Sequence, residues 1–151
     1  MRRRELLCSV IAAGSFAVVG RAQAARERMV VYKDPNCGCC HAWAEAMAKA
    51  GFSVKAEDVA DIDAVKDRYK VPGDLRGCHT ALVAGYYLEG HVPLEALTRL
   101  LTEKPDLAGL SVPGMPAGSL GMGDDPDASY DVIAIGKDGT SRVYQAVRPK
   151  G

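Results

Sequence analysis

The chain has no surplus of charge of either sign: 19 Lys and Arg balance 19 Asp and Glu. A neutral chain has no electrostatic reason to seek nucleic acid or an anionic membrane surface, so neither is an expected partner. A long apolar run is missing too. The stretch from Leu6 to Val19 is interrupted by Cys8, Ser9, Gly14 and Ser15, and it falls short of the roughly 20 residues that a membrane-spanning helix needs. There is no internal repeat, and no constellation that would support hydride transfer, phosphoryl transfer or hydrolysis.

What is present begins with an export signal. Arg2, Arg3 and Arg4 precede the apolar stretch and Ala22-Gln23-Ala24 follows it, the layout of a cleaved signal peptide over residues 1–24. Arg-Arg ahead of Glu5-Leu6-Leu7 fits a loose twin-arginine signal, and the general secretory route fits equally. Cys8 lies too early in the apolar stretch for a lipoprotein acceptor. Cleavage after Ala24 removes four arginines and one glutamate, leaving 127 residues with 15 basic and 18 acidic side chains. Residues 25–151 have the size of one domain with one core, and no stable membrane insertion is expected of them.

Within that domain the sequence predicts a strand at Met29 to Lys33, a turn at Asp34-Pro35-Asn36 and a helix over Cys40 to Ala50. The helix carries Trp43, Met47 and Ala50 on one face and stops at Gly51. Phe52 to Glu57 reads as a second strand. Asp61 caps a helix with Ile62, Val65 and Tyr69 inward, ended by Val71-Pro72-Gly73. Thr80 to Val83 and Tyr86 to Glu89 are strands about Ala84-Gly85, and Leu94 to Glu103 is a helix with Leu94, Leu97, Leu100 and Leu101 on its apolar face. Pro105 to Asp127 shows little helical or strand character. Its length marks it as a functional or disordered Gly/Pro/Met loop. A hairpin of Asp131 to Ile135 and Thr140 to Val147 follows, with Val132, Ile133 and Ile135 as core.

The order strand, helix, strand, helix, strand, strand, helix defines an α/β domain that resembles the thioredoxin fold, extended by the loop and the C-terminal hairpin. Thioredoxin-like chains place Cys-x-x-Cys between the first strand and first helix, where Cys37 and Cys40 stand. They usually carry a cis-proline before the third core strand; here that place belongs to His79, with Cys78 just ahead of it. The topology therefore sets Cys78 beside Cys37, Cys39 and Cys40, and all four sulfurs are expected at one corner.

Four close cysteines admit three readings: metal ligands, two disulfides, or a catalytic dithiol of Cys37 and Cys40. A third neighbouring thiol, Cys39, would compete in every exchange of a clean redox pair, whereas a cation offsets the mutual repulsion of several thiolates. Zinc would take four thiolates tetrahedrally, but the adjacent Cys39 and Cys40 diverge and fit a single ion poorly. Iron–sulfur clusters lack their usual spacing here. Soft Cu(I) tolerates bridging thiolates and low coordination, so it is preferred over zinc. Met115 and Met122, in a loop without a periodic apolar face, are candidate thioether ligands. His41 and His79 each follow a cysteine, and a hydrogen bond to a ligand suits His79 better than direct ligation; imidazole would also suit Cu(II). His91 reads as a turn residue before Pro93, Trp43 and Tyr32 as packing, Met47 as core, and Asp124, Asp125 and Asp127 as a solvated loop.

Five segments in order make the resemblance specific. They are Val31-Tyr32-Lys33-Asp34-Pro35-Asn36-Cys37-Gly38-Cys39-Cys40, Gly77-Cys78-His79-Thr80, Glu89-Gly90-His91-Val92-Pro93, Val112-Pro113-Gly114-Met115-Pro116-Ala117-Gly118-Ser119 and Gly121-Met122. Together they resemble the CopG-like family, domain-of-unknown-function family 411, over nearly all of Met29 to Val147. The resemblance implies an exported, thioredoxin-like copper-binding protein of the Gram-negative periplasm, tied to copper resistance. It implies a multinuclear copper cluster on Cys37, Cys39, Cys40 and Cys78. Sequestration, transfer and redox handling of copper all remain open, as does thiol–disulfide exchange by Cys37 and Cys40. The expected partners are copper ions and a periplasmic copper donor or acceptor, and the protein is expected to be a monomer.

Overall fold

Strict alternation along the strands decides which side chains meet which helices. A computed structural model describes residues 27–149; the expected signal segment lies outside them. The elements are β1 (Arg28–Lys33), α1 (Gly38–Lys49), β2 (Ser53–Asp58), α2 (Ile62–Arg68), β3 (His79–Val83), β4 (Tyr86–Gly90), α3 (Leu94–Glu103), β5 (Gly109–Val112), β6 (Tyr130–Ile135) and β7 (Ser141–Val147). Among the described residues the strands form one seven-stranded sheet in the order β2-β1-β3-β4-β5-β6-β7. β1 runs parallel to β2 and antiparallel to β3, and β3 is antiparallel to β4. No helix of the described residues is long and apolar enough to cross a membrane.

Met29 and Val31 of β1, Ala81 and Val83 of β3, Leu88 of β4, Leu110 and Val112 of β5, and Val132 and Ala134 of β6 project to one face. There they pack with Trp43 and Met47 of α1 and with Ala96, Leu97 and Leu100 of α3. This is the main core. The opposite face is covered by α2 and the 3-10 turn at Gly73–Leu75, over Val71, Tyr87, Leu82 and Ile135. Asp61 caps α2 as expected, its carboxylate accepting the Ala64 N–H at 3.0 Å.

The structure departs from the sequence reading at several points. The first helix opens two residues earlier than Cys40, with Cys37 as its N-cap, so the cysteines occupy the first turn rather than the approach to it. Pro105 to Asp127 is not wholly irregular, because it contains β5. That strand is only four residues long and lies between prolines, which hides its period of two. α3 is the crossover that lets β5 pair in parallel with β4, and β6 then pairs antiparallel with β5. The terminal hairpin is thus a continuation of the same sheet. Within it Ile133 is only partly buried and Ala134 takes the core position instead. Ile133 alternates to the other face of the sheet, where its cross-strand partner is the exposed Val143 of β7.

Candidate metal centre

Two chain segments meet at the C-terminal end of β1. The first is the turn Asp34-Pro35-Asn36, closed by Cys37 N–H to Asp34 O at 3.1 Å and Asn36 N–H to Asp34 Oδ1 at 2.7 Å. It delivers Cys37, Cys39 and Cys40 to the start of α1. The second is the strand entry Arg76-Gly77-Cys78. It is held on the far face by Glu89, which accepts the Gly77 N–H at 2.7 Å, and by Gly114 N–H donating to Arg76 O. Gly77 lies so close to β4 that a Cβ there would come within 2.5 Å of Gly90 Cα; only glycine permits that approach.

The sulfurs of Cys37, Cys39, Cys40 and Cys78 all lie within 4.8 Å of one another. Cys39 Sγ is 3.6 Å from Cys37 Sγ and 3.8 Å from Cys78 Sγ. Cys37 and Cys40 are joined in a disulfide, and Cys39 and Cys78 are free. Two disulfides are therefore not what the fold holds. With this bond closed two thiols remain for metal; with it open there are four.

Burial, and then the neighbouring Cys39, push the Cys78 thiol up to about 12. Without metal it carries its proton. Burial, aided by the charges of His91 and Lys66, lowers His79 to about 3, and burial lowers His91 as well. Both shifts favour the neutral ring, the form that ligates metals.

The Gly/Pro/Met loop folds back over this corner. Met115 Sδ sits 3.9 Å from Cys39 Sγ while staying 56% exposed. Met122 is 40% exposed, and among the described residues no hydrogen bond joins its sulfur to a cysteine, in contrast to Met115. Gly121 docks the loop on α1: a Cβ there would lie 2.7 Å from Cys39 O. His79 is fully buried against Trp43, with ring centroids 4.5 Å apart, and its Nδ1 is 3.4 Å from Cys78 Sγ. His41 turns away from the sulfurs; its Nε2 lies 3.0 Å from Lys33 Nζ, which pairs with Asp58.

The sequence reading missed two residues here. His91 is not only a turn residue: its Nε2 is 3.0 Å from Cys78 Sγ and its Nδ1 is 2.9 Å from Ser119 Oγ. The Ser119 hydroxyl donates to Pro116 O at 2.6 Å, so its oxygen accepts from His91 and the ring proton sits on Nδ1. Nε2 then offers its lone pair to Cys78. Both residues lie in segments carrying the family resemblance, but their distance from the cysteines in sequence hid the connection. Trp43 is core as expected, with Nε1–H donating to Val92 O at 2.9 Å.

The similarities of the chain agree with this geometry. Residues 75–122 match the family described as protein of unknown function, DUF411. Two solved structures, forms 1 and 2 of a copper resistance protein copG, are 38% and 37% identical with TM-scores of 0.75 and 0.76. The matches cover 82% and 81% of this chain and 98% of each of those. The chain belongs to the CopG-like DUF411 family. No curated protein matches the sequence. The family match begins at the 3-10 turn and ends with the docked loop, so it takes in Cys78, His79, His91, Met115 and Ser119.

Proposed function

We propose that this protein binds copper in copper resistance, holding Cu(I) as a multinuclear cluster on Cys37, Cys39, Cys40 and Cys78 in their thiolate forms. The observation that carries the reading is the convergence of four sulfurs within 4.8 Å from two separate segments, on a chain related to copper resistance proteins. The donor set fits the ion. Thiolates favour Cu(I), bridging thiolates suit several ions together, and the half-exposed Met115 supplies a thioether beside Cys39. Zinc remains the less suitable ion. Each thiol that binds releases a proton, including that of Cys78, which burial holds more firmly than an ordinary thiol does. The exposed Met115 edge is where ions enter and leave.

The reading includes export to the periplasm, from the signal over residues 1–24, and a thioredoxin-like arrangement of β1 to β4 with α1 to α3. It treats the protein as a monomer that stores copper, passes it to or from a periplasmic partner, or handles its oxidation state. Anaerobic Cu(I) titration of fully reduced protein tests it: binding beyond one ion per chain is expected, falling when either Cys39 or Cys78 is changed to Ser. Unchanged binding in both variants overturns it.

One observation favours a second reading, thiol–disulfide exchange: the closed Cys37–Cys40 bond at the opening of α1. Exchange activity that survives both Cys39→Ser and Cys78→Ser, in protein that takes up no copper, would decide for it.

A further inference from the structure

The disulfide form has its own ligand set. We infer that, with Cys37 and Cys40 joined, the protein keeps a mononuclear site for a divalent, borderline-soft ion formed by Cys78 Sγ, His79 Nδ1 and His91 Nε2. This rests on the copper-handling reading of the same corner and adds to it a second binding mode, selected by the state of the disulfide.

Those three ligand atoms lie within 4.8 Å of one another. Cys78 Sγ is 3.4 Å from His79 Nδ1 and 3.0 Å from His91 Nε2. Bonds of about 2.0–2.3 Å at tetrahedral angles separate ligand atoms by roughly 3.4–3.8 Å, so occupancy keeps the Cys78–His79 spacing and moves the His91 nitrogen away from the sulfur by about half an ångström. One thiolate and two imidazoles suit Cu(II), Co(II) or Zn(II) better than they suit a thiolate cluster of Cu(I).

The supporting side chains are those of a built site. Ser119 accepts the Nδ1 proton of His91, which fixes the tautomer and aims the Nε2 lone pair at Cys78. His79 is fully buried, and its far nitrogen, Nε2, has no hydrogen-bond partner. Packing against Trp43 therefore sets the ring's orientation. A buried imidazole without that bond is expensive as a structural element; as a metal ligand through Nδ1 it has a purpose. None of the three residues takes part in the disulfide, so closing that bond removes two sulfurs from the cluster and leaves this set intact.

The test uses the full mature chain with the Cys37–Cys40 bond closed, verified by two free thiols per denatured chain, and Co(II) as the probe ion. One equivalent is expected to bind with a thiolate-to-metal charge-transfer band, and Zn(II) should displace it. Cys78→Ser should abolish the band. Ser119→Ala leaves the ligands in place but frees the His91 ring, and should weaken binding about 10- to 100-fold. His91→Gln should weaken it further. Absence of Co(II) binding overturns the inference, as does binding that Cys78→Ser and Ser119→Ala leave unchanged. Those results would leave Cu(I) uptake by the reduced protein standing, whereas failure of the reduced protein to take Cu(I) would sink the copper reading itself.

Discussion

Glu89 and Gly77 are joined through the sheet: the Glu89 carboxylate accepts the Gly77 N–H at 2.7 Å from the face opposite the sulfurs. The same carboxylate accepts from Thr80 Oγ1 at 2.7 Å and pairs with Lys66, and both members of that ion pair are buried. A fully satisfied polar knot thus fastens the residue before Cys78 to the edge where β3 begins. The sulfur is positioned by hydrogen bonds that it does not itself make.

Glu89→Ala should therefore cost about 3–5 kcal/mol of unfolding free energy, because it leaves Lys66 charged and unpaired in the core. Urea unfolding of metal-free protein measures this. The Lys66→Met, Glu89→Leu double variant should recover much of the loss, and a double variant as unstable as Glu89→Ala would contradict the desolvation argument.

Met115 and Met122 should differ. Met115→Leu is expected to lower Cu(I) affinity roughly tenfold by removing the thioether beside Cys39. Met122→Leu should change it less than twofold. Competition against a chromophoric Cu(I) chelator reads both, and equal effects would contradict the loop placement seen here.

Gly121→Ala should undock the loop. Its φ of +101° disfavours any side chain, and the added Cβ would press on Cys39 O at 2.7 Å. The expected result is faster proteolytic cleavage within 113–129 and a Cu(I) affinity reduced at least as far as in Met115→Leu. Cleavage at the parental rate would show that the loop does not depend on this contact.

Metal-free protein should lose stability on acidification through the buried imidazoles. His79 is lowered from an ordinary value near 6.5 to about 3, by burial first and then by His91 and Lys66. A base depressed in the folded state contributes stability that is full above its unfolded value and lost as pH falls below it. Between pH 6.5 and pH 5 this amounts to about 2 kcal/mol for His79, and His91 acts in the same direction. Unfolding curves across that window should flatten in His79→Gln relative to the parent; identical slopes would exclude His79 as the source.

Local pattern made most of the scaffold legible. The α3 boundaries at Leu94 and Glu103, the Asp61 cap and the order of the first seven elements follow from apolar periodicity, turn residues and capping chemistry, which act over a few residues. β5 did not show. Four residues between two prolines carry too little periodicity, and the pairing with β4 and β6 that stabilises them is not local. Ile133 was misplaced for a related reason: alternation gives its face, but only packing between distant elements decides whether that face is covered.

The same division runs through the site. Residue chemistry alone singled out Cys37, Cys39, Cys40 and Cys78 and pointed to a soft ion for them, because thiolate preferences do not depend on the fold. Tertiary structure decided that Cys37 pairs with Cys40, that Met115 rather than Met122 meets Cys39, and that His41 turns toward Lys33 while His91 turns toward Cys78. Each of those outcomes depends on a few ångströms between residues far apart in sequence. Sheet register and loop docking set such distances; neighbours along the chain do not.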